Sequence, residues 1–297
     1  MKKELSPFVI YTLLIIAMVF WSFAFIWIKQ LLNIGFLPLT IVFFRLIIAA
    51  SFMTLLCYFL NIQEKIHRQD YKYLFLLAFA EPFCYFLGEN FGMQYVSASL
   101  ASLMVALIPP ITPIFAWIFI KEKVCFNQII GLVISFLGVI VLVAEDWNLQ
   151  GTINGVLLML LAVLSGTVFT ILLRRLVNKY SALTITKWQT IIGMLLYLPL
   201  FFLFDFQKFI HTRFVIYDYK NIICLGALAS SIAFVFLTMG VKRIGVVRTN
   251  IFTNLIPVFA GVFAFFVLRE PLTTAKIIAM LIVLAGLFMS QAKREKK

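Results

Sequence analysis

The sequence predicts an all-α integral membrane protein, with about ten transmembrane helices arranged as two inverted five-helix repeats. Three observations carry that prediction. The chain is 63% hydrophobic and only 12% charged, whereas an ordinary soluble domain carries roughly 25% charged residues. Its apolar residues gather into stretches of roughly 20, the length that crosses the hydrocarbon of a bilayer. The landmarks of the first half recur in the second at a fixed offset.

In chain order the predicted spans are 8–28, 38–60, 72–93, 97–120, 127–144, 153–173, 183–204, 220–239, 246–268 and 273–290. The first follows Met-Lys-Lys and outruns the apolar region of a signal peptide. No small-residue cleavage site follows it, so it reads as a retained span. The longest connections, 61–71 and 205–219, are polar and aromatic and leave nothing for a soluble domain. With the N-terminus inside, sixteen of the 25 Lys and Arg residues fall in inner segments and five in outer ones. That bias places both termini in the cytoplasm and the chain in the cytoplasmic membrane. The net charge of +13 is spread over these short runs rather than gathered on one face or arm, so lipid, not nucleic acid, is the expected surrounding.

The repeat is the most informative feature. At an offset of 148, Tyr71-Lys72 meets Tyr219-Lys220, Gly92 meets Gly240, and Leu107-Ile108-Pro109 meets Leu255-Ile256-Pro257. Glu122 meets Glu270, and Gly138 meets Gly286. An offset of 144 lays Leu39-Thr40-Ile41 over Leu183-Thr184-Ile185. The halves are 1–146 and 147–297. Five spans in each half put the second half in the membrane upside down, an arrangement that suits alternating access to a site near the midplane.

Several chemistries find no support. The four cysteines are widely spaced and the two histidines sit in separate loops, so neither a disulfide framework nor a metal or other cofactor is expected. HExxH, GxSxG and a pair of intramembrane aspartates are missing, which argues against an enzyme. No GxxxxGK[ST] motif is present, so energy must come from a gradient or a partner. A channel would want a repeated filter sequence or a ring of charges.

Ionisable residues inside spans point to a cavity or a partner. Glu81 and Glu89 share the third span. On a straight helix their directions differ by ~80° and their heights by ~12 Å, so both can reach one cavity at different depths. They are candidates for proton coupling or for holding a substrate amino group. Arg45 lies at nearly the depth of Glu89, so the two are expected to be neighbours, with Arg45 alternatively clamping a carboxylate or phosphate. Pro109 and Pro113 in the fourth span and Pro257 in the ninth are expected to kink their helices. Ahead of Pro257, Asn250, Thr253 and Asn254 share a helical face. Glu270 and its equivalent Glu122 are expected to complement the N-terminus of the helix that follows each.

The stretches Trp21-Ser22-Phe23 to Lys29, Pro38 to Arg45, Gly92-Met93-Gln94-Tyr95-Val96-Ser97-Ala98-Ser99, and Pro109 through Lys121-Glu122-Lys123 to Gly138 resemble the EamA domain of the drug/metabolite transporter superfamily. The resemblance covers nearly the whole chain as two tandem domains. It implies a ten-helix carrier of amino acids or other small metabolites, often outward. Sugar phosphates, nucleotide sugars or lipid-like molecules are the alternative cargo. It also implies a central cavity between the halves, which Trp21, Ser22, Glu81, Asn250 and Asn254 would line, with protons as a candidate coupling ion. The duplication already supplies both halves, so a monomer suffices and a homodimer stays open. The second half departs from the pattern with Gly166 in place of Ser22 and Gln189 in place of Arg45.

Overall fold

The structure, a computed structural model, describes residues 6–62, 64–120, 126–145, 152–212 and 219–291. Glu122 and Cys125 lie outside them. Every element among the described residues is helical. The helices are α1 (Pro7–Asn33), α2 (Pro38–Phe59), α3 (Tyr71–Ala78, Phe79–Cys84 and Tyr85–Gly92), α4 (Ala98–Val105 and Ile108–Ile120) and α5 (Phe126–Glu145). The chain continues as α6 (Thr152–Leu176), α7 (Ala182–Leu200, Phe201–Asp205 and Phe206–His211), α8 (Tyr219–Cys224, Leu225–Ile232 and Ala233–Ile244), α9 (Val246–Thr253, Leu255–Phe263 and Ala264–Leu268) and α10 (Thr274–Gln291). Seven of these, α1, α2, α4, α6, α7, α8 and α9, contain helix long and apolar enough to cross a membrane. Two shorter apolar helices lie in α5 and α10.

Large apolar side chains cover the outer surface: Leu203, Phe204, Phe266 and Leu281 are all more than 60% exposed. In water such a surface would aggregate; in lipid it costs nothing. The helix starts are fixed by local chemistry. Ser6, Ser97 and Ser181 cap α1, α4 and α7 by accepting from Val9, Leu100 and Thr184 amides. Thr273 accepts from the Lys276 amide at the head of α10. The first turn of α2 lacks a cap of its own, and Asp205 of α7 supplies one, accepting from the Thr40 amide (2.8 Å) and hydroxyl (3.0 Å).

One expectation is corrected. Glu270 does not serve α10, the helix that follows it. Its carboxylate accepts from the Ala98 amide (2.9 Å), the Ser99 amide (3.3 Å) and the Ser99 hydroxyl (2.7 Å), at the head of α4. The following helix already has Thr273, whereas no other carboxylate among the described residues bonds the first amides of α4.

Small residues set the helix pairs. α5 packs along α10, where a Cβ on Gly138 would meet Val283 and one on Gly286 would meet Ser135 and the Gly131 carbonyl. The Ser135 hydroxyl donates to the Val283 carbonyl at 3.4 Å, across a sequence separation of 148. α2 packs along α7, α3 along α6 through Gly88 and Gly92, and α1 along α8 through Gly240 against Leu14. Close approach at such residues is the usual way helices associate in lipid.

Candidate functional site

The site begins with a break in α3. Glu81 is extended (φ −146°, ψ 118°) in mid-helix, and its peptide bond to Pro82 is cis. A residue before proline is pushed out of the helical region by the pyrrolidine ring, and proline has no N–H to continue the ladder. Two carbonyls flanking the break are bonded by α7. Gln189 Nε2 donates to the Glu81 carbonyl (3.0 Å) and the Tyr197 hydroxyl to the Phe83 carbonyl (2.8 Å). Gly193, midway between them on the same helical face, leaves room for the Pro82 ring, which a Cβ there would strike.

The break turns the Glu81 carboxyl into a cavity of about 720 Å³, its open mouth included. Trp21 and Phe25 of α1, Arg45 of α2, Glu81, Tyr85, Phe86 and Glu89 of α3, Ile108 and Pro109 of α4, Phe169 of α6, Phe234 of α8, and Asn250 and Thr253 of α9 are among its walls.

Charge is distributed unevenly over these walls. Arg45 is 2% exposed and Glu89 4%. Arg45 Nη1 lies 3.4 Å from Glu89 Oε2, Nε donates to the Ser230 hydroxyl at 2.9 Å, and the guanidinium centre sits 3.8 Å from the centre of the Phe86 ring. Asn90 Nδ2 also reaches Glu89 at 3.4 Å. The expected neighbours are therefore joined. Among the described residues the Glu81 carboxyl forms no hydrogen bond or ion pair, although it is 8% exposed. Trp21 uses its indole N–H on the Ala229 carbonyl (3.1 Å), and its ring meets Phe234 edge-on at 5.2 Å.

Of the residues singled out in the sequence, Trp21, Glu81, Glu89, Arg45, Pro109, Asn250 and Thr253 line the cavity. Ser22 does not. It is fully buried, and its hydroxyl donates to the Met18 (2.7 Å) and Ile256 (3.1 Å) carbonyls, joining α1 to α9. Asn254 is buried at the interruption of α9, and Pro257 follows within its second stretch. Pro109 opens the second stretch of α4, and Pro113 lies inside it. The sequence reading missed the break at Pro82 and the rings of Phe25, Tyr85, Phe86, Phe169 and Phe234. Pro82 itself was the available signal for the first. Nothing distinguishes these five lining aromatics among 33 phenylalanines and 10 tyrosines.

Two ranges, 8–144 and 153–291, match the model of the EamA-like transporter family. The chain belongs to that family. This EamA-like chain is 26% identical over 282 residues to an uncharacterized transporter of Archaeoglobus fulgidus, covering 95% of the chain and 98% of that protein. It is 24% identical over 233 residues to the uncharacterized transporter YetK of Bacillus subtilis, covering 77% and 70% of the two. A solved crystal structure superposes with a TM-score of 0.66 at 15% identity, over 92% of this chain and 97% of the other, which shows a shared fold. The protein is thus a multi-pass membrane protein of a transporter family.

Proposed function

We propose that the chain is a secondary transporter carrying a small metabolite, an amino acid or related compound, outward across the cytoplasmic membrane by alternating access between two inverted repeats, 1–146 and 147–297. The cavity is the observation that carries this reading. It lies where the halves meet, walled by α1–α4 of one and α6, α8 and α9 of the other.

The packing supports inversion. If α3, α5 and α10 cross as well, the spans number ten. The pairs then obey one two-fold exchange: α5 with α10, α2 with α7, and α3 on α6 as α8 on α1. Ser135 and Val283, at equivalent positions by the offset of 148, touch each other. Equivalent positions meet in this way beside a symmetry axis. The two family matches, one in each half, support the same division. An axis in the membrane plane lets the halves exchange conformations, moving the opening from one face to the other. The Lys and Arg bias supports cytoplasmic termini.

Counterflow in proteoliposomes, run on labelled amino acids, amines, sugars and nucleotides with and without a pH gradient, tests the reading. Saturable, protein-dependent exchange of one class is expected. Correctly folded protein that exchanges none of them would overturn it.

A further inference from the structure

We propose that a groove on the lipid-facing side of α3 and α7 binds an anionic phospholipid, with its phosphate on Lys187 and Lys72 and one acyl chain along the rings of α3. The proposal needs only that the chain sits in a bilayer. It holds whether or not the central cavity carries a metabolite.

The groove is built from rings. Phe75, Phe79 and Phe83 recur every fourth residue of α3 and stack in turn, with ring centres 6.2 and 5.2 Å apart. Tyr197 of α7 closes the far end against Phe83 at 5.3 Å. At the head of α3, Tyr71 meets Trp188 of α7 edge-on at 6.2 Å and closes the foot. Phe75 and Phe79 are exposed, so their outer faces meet hydrocarbon. From Phe75 to Phe83 the ladder climbs ~12 Å, most of the roughly 15 Å of hydrocarbon in one leaflet. An acyl chain laid along it touches fixed rings over much of its length, and such contacts add up.

The foot of the groove carries cations without anions. Lys187 lies six residues inside the Ser181 cap, ~9 Å along α7. It is partly buried, with Nζ 5.6 Å from the centre of the Trp188 ring. Lys72, beside Tyr71, is exposed, with Nζ 5.1 Å from the centre of the Tyr73 ring. Among the described residues no carboxylate forms an ion pair with either lysine. The acidic side chains described near the heads of α3 and α7 are engaged elsewhere. Asp70 accepts from Lys179 and Tyr180, and Glu64 accepts from the Ser181 amide at 2.8 Å. A lysine held where its helix enters hydrocarbon calls for an anion at the same level. The phosphate of a lipid in the adjoining leaflet stands at that level. The Lys and Arg bias places this end at the cytoplasmic face, where anionic lipids gather and basic pockets between helices hold their headgroups.

The device belongs to one half of the chain. α8 packs on α2 as α3 does on α7. At the offset of 148, however, the equivalents of Phe75, Phe79 and Phe83 are Ile223, Ala227 and Ser231. At the offset of 144, the equivalent of Lys187 is Phe43. Duplication supplies the helix pair twice, so packing of the pair requires neither the ladder nor its cation.

Native mass spectrometry of the purified full chain provides the test, with the protein delipidated in detergent and titrated with phosphatidylglycerol or phosphatidylcholine of the same acyl chains. A lysine beside a lipid headgroup contributes about fivefold in affinity, roughly 1 kcal/mol. With two lysines, one phosphatidylglycerol is expected to be retained about 25-fold more tightly than phosphatidylcholine. Lys187→Gln and Lys72→Gln should each remove about fivefold of that preference, and the double variant should bring the two lipids level. Phe79→Ala should weaken both lipids alike. Lys220→Gln, at the position equivalent to Lys72, should change nothing. Monodisperse elution and an unchanged melting temperature certify each variant. Equal retention of the two lipids by the native chain, or an unaltered preference in the folded double variant, would overturn the proposal. An equal loss of preference in Lys220→Gln would also overturn it, because net charge rather than the groove would then attract the lipid.

Discussion

Arg45 places a guanidinium in the interior of the membrane domain with 2% of its surface exposed. Such a charge persists only when its partners replace water, and Glu89, Ser230 and Phe86 together do so. Arg45→Met therefore leaves Glu89 buried and uncompensated and is expected to destabilise the fold by about 3–5 kcal/mol. Arg45→Met combined with Glu89→Gln should recover much of that loss, and a double-mutant cycle of unfolding in detergent reads the difference. At the loop preceding α3, Asp70 is 2% exposed and accepts from Lys179 Nζ (2.7 Å) and the Tyr180 hydroxyl (2.8 Å). Those two bonds hold its carboxyl below the usual carboxylate range. The folded value lies below the unfolded one, so the stabilisation is complete above about pH 4 and drains away as pH falls through the depressed value. Asp70→Asn should lower the melting temperature at neutral pH and flatten its acid slope, as a pH series of melting curves would show. The Arg45–Glu89 pair was legible because depth along two antiparallel spans follows from residue counting. The inward task of Ser22 was not, since a hydroxyl in a span serves a carbonyl or a substrate equally well until its neighbour is known.

At the scale of elements, α3 is broken and α7 is its template. Gln189, Gly193 and Tyr197 recur every fourth residue, so one face of α7 offers a donor, a gap and a second donor to the interrupted stretch. Filling the gap is expected to do more damage than losing either bond. Gly193→Leu should push α3 away, displace Glu81 from the cavity and cost about 1–3 kcal/mol or more. Leu195→Ala, two residues on and 56% exposed, should leave the melting temperature nearly unchanged. Glu270 works between elements in the same sense, since it carries the head of α4 from the end of the chain's other half. Glu270→Ala should cost about 0.5–2 kcal/mol, the usual cost of a lost cap, in the same melting assay. The apolar stretches and their prolines announced where most helices run and where α4 and α9 are interrupted. They could not announce the partner of a break. That partner lies more than 100 residues away in sequence, at a Gln189 to Glu81 separation of 108, and is chosen by packing.

For the whole molecule the question is whether the two halves are inverted or parallel. The offsets of 148 and 144 establish duplication in either case, and hydropathy alone cannot decide between an even and an odd number of crossings per half. The decision falls on α3, α5 and α10, which the longer apolar helices do not include. A pair of equivalent exposed positions distinguishes the alternatives. Ile34, after α1, and Asn178, after α6, stand 144 residues apart in matching connections, and both are exposed. In a chain stripped of its four native cysteines, Ile34→Cys and Asn178→Cys are introduced singly, and each variant is treated with a membrane-impermeant maleimide in right-side-out and inverted vesicles. Inverted repeats put the two connections on opposite faces, so Ile34→Cys should label only from outside and Asn178→Cys only from inside. Parallel repeats would label both from one side. That result would remove the in-plane axis on which alternation depends, while leaving untouched the pairing of Arg45 with Glu89 and the cavity between them. Labelling from opposite faces would instead fix an odd number of crossings between the two connections, as inversion requires. The contact of Ser135 with its equivalent Val283 would then mark where the axis passes.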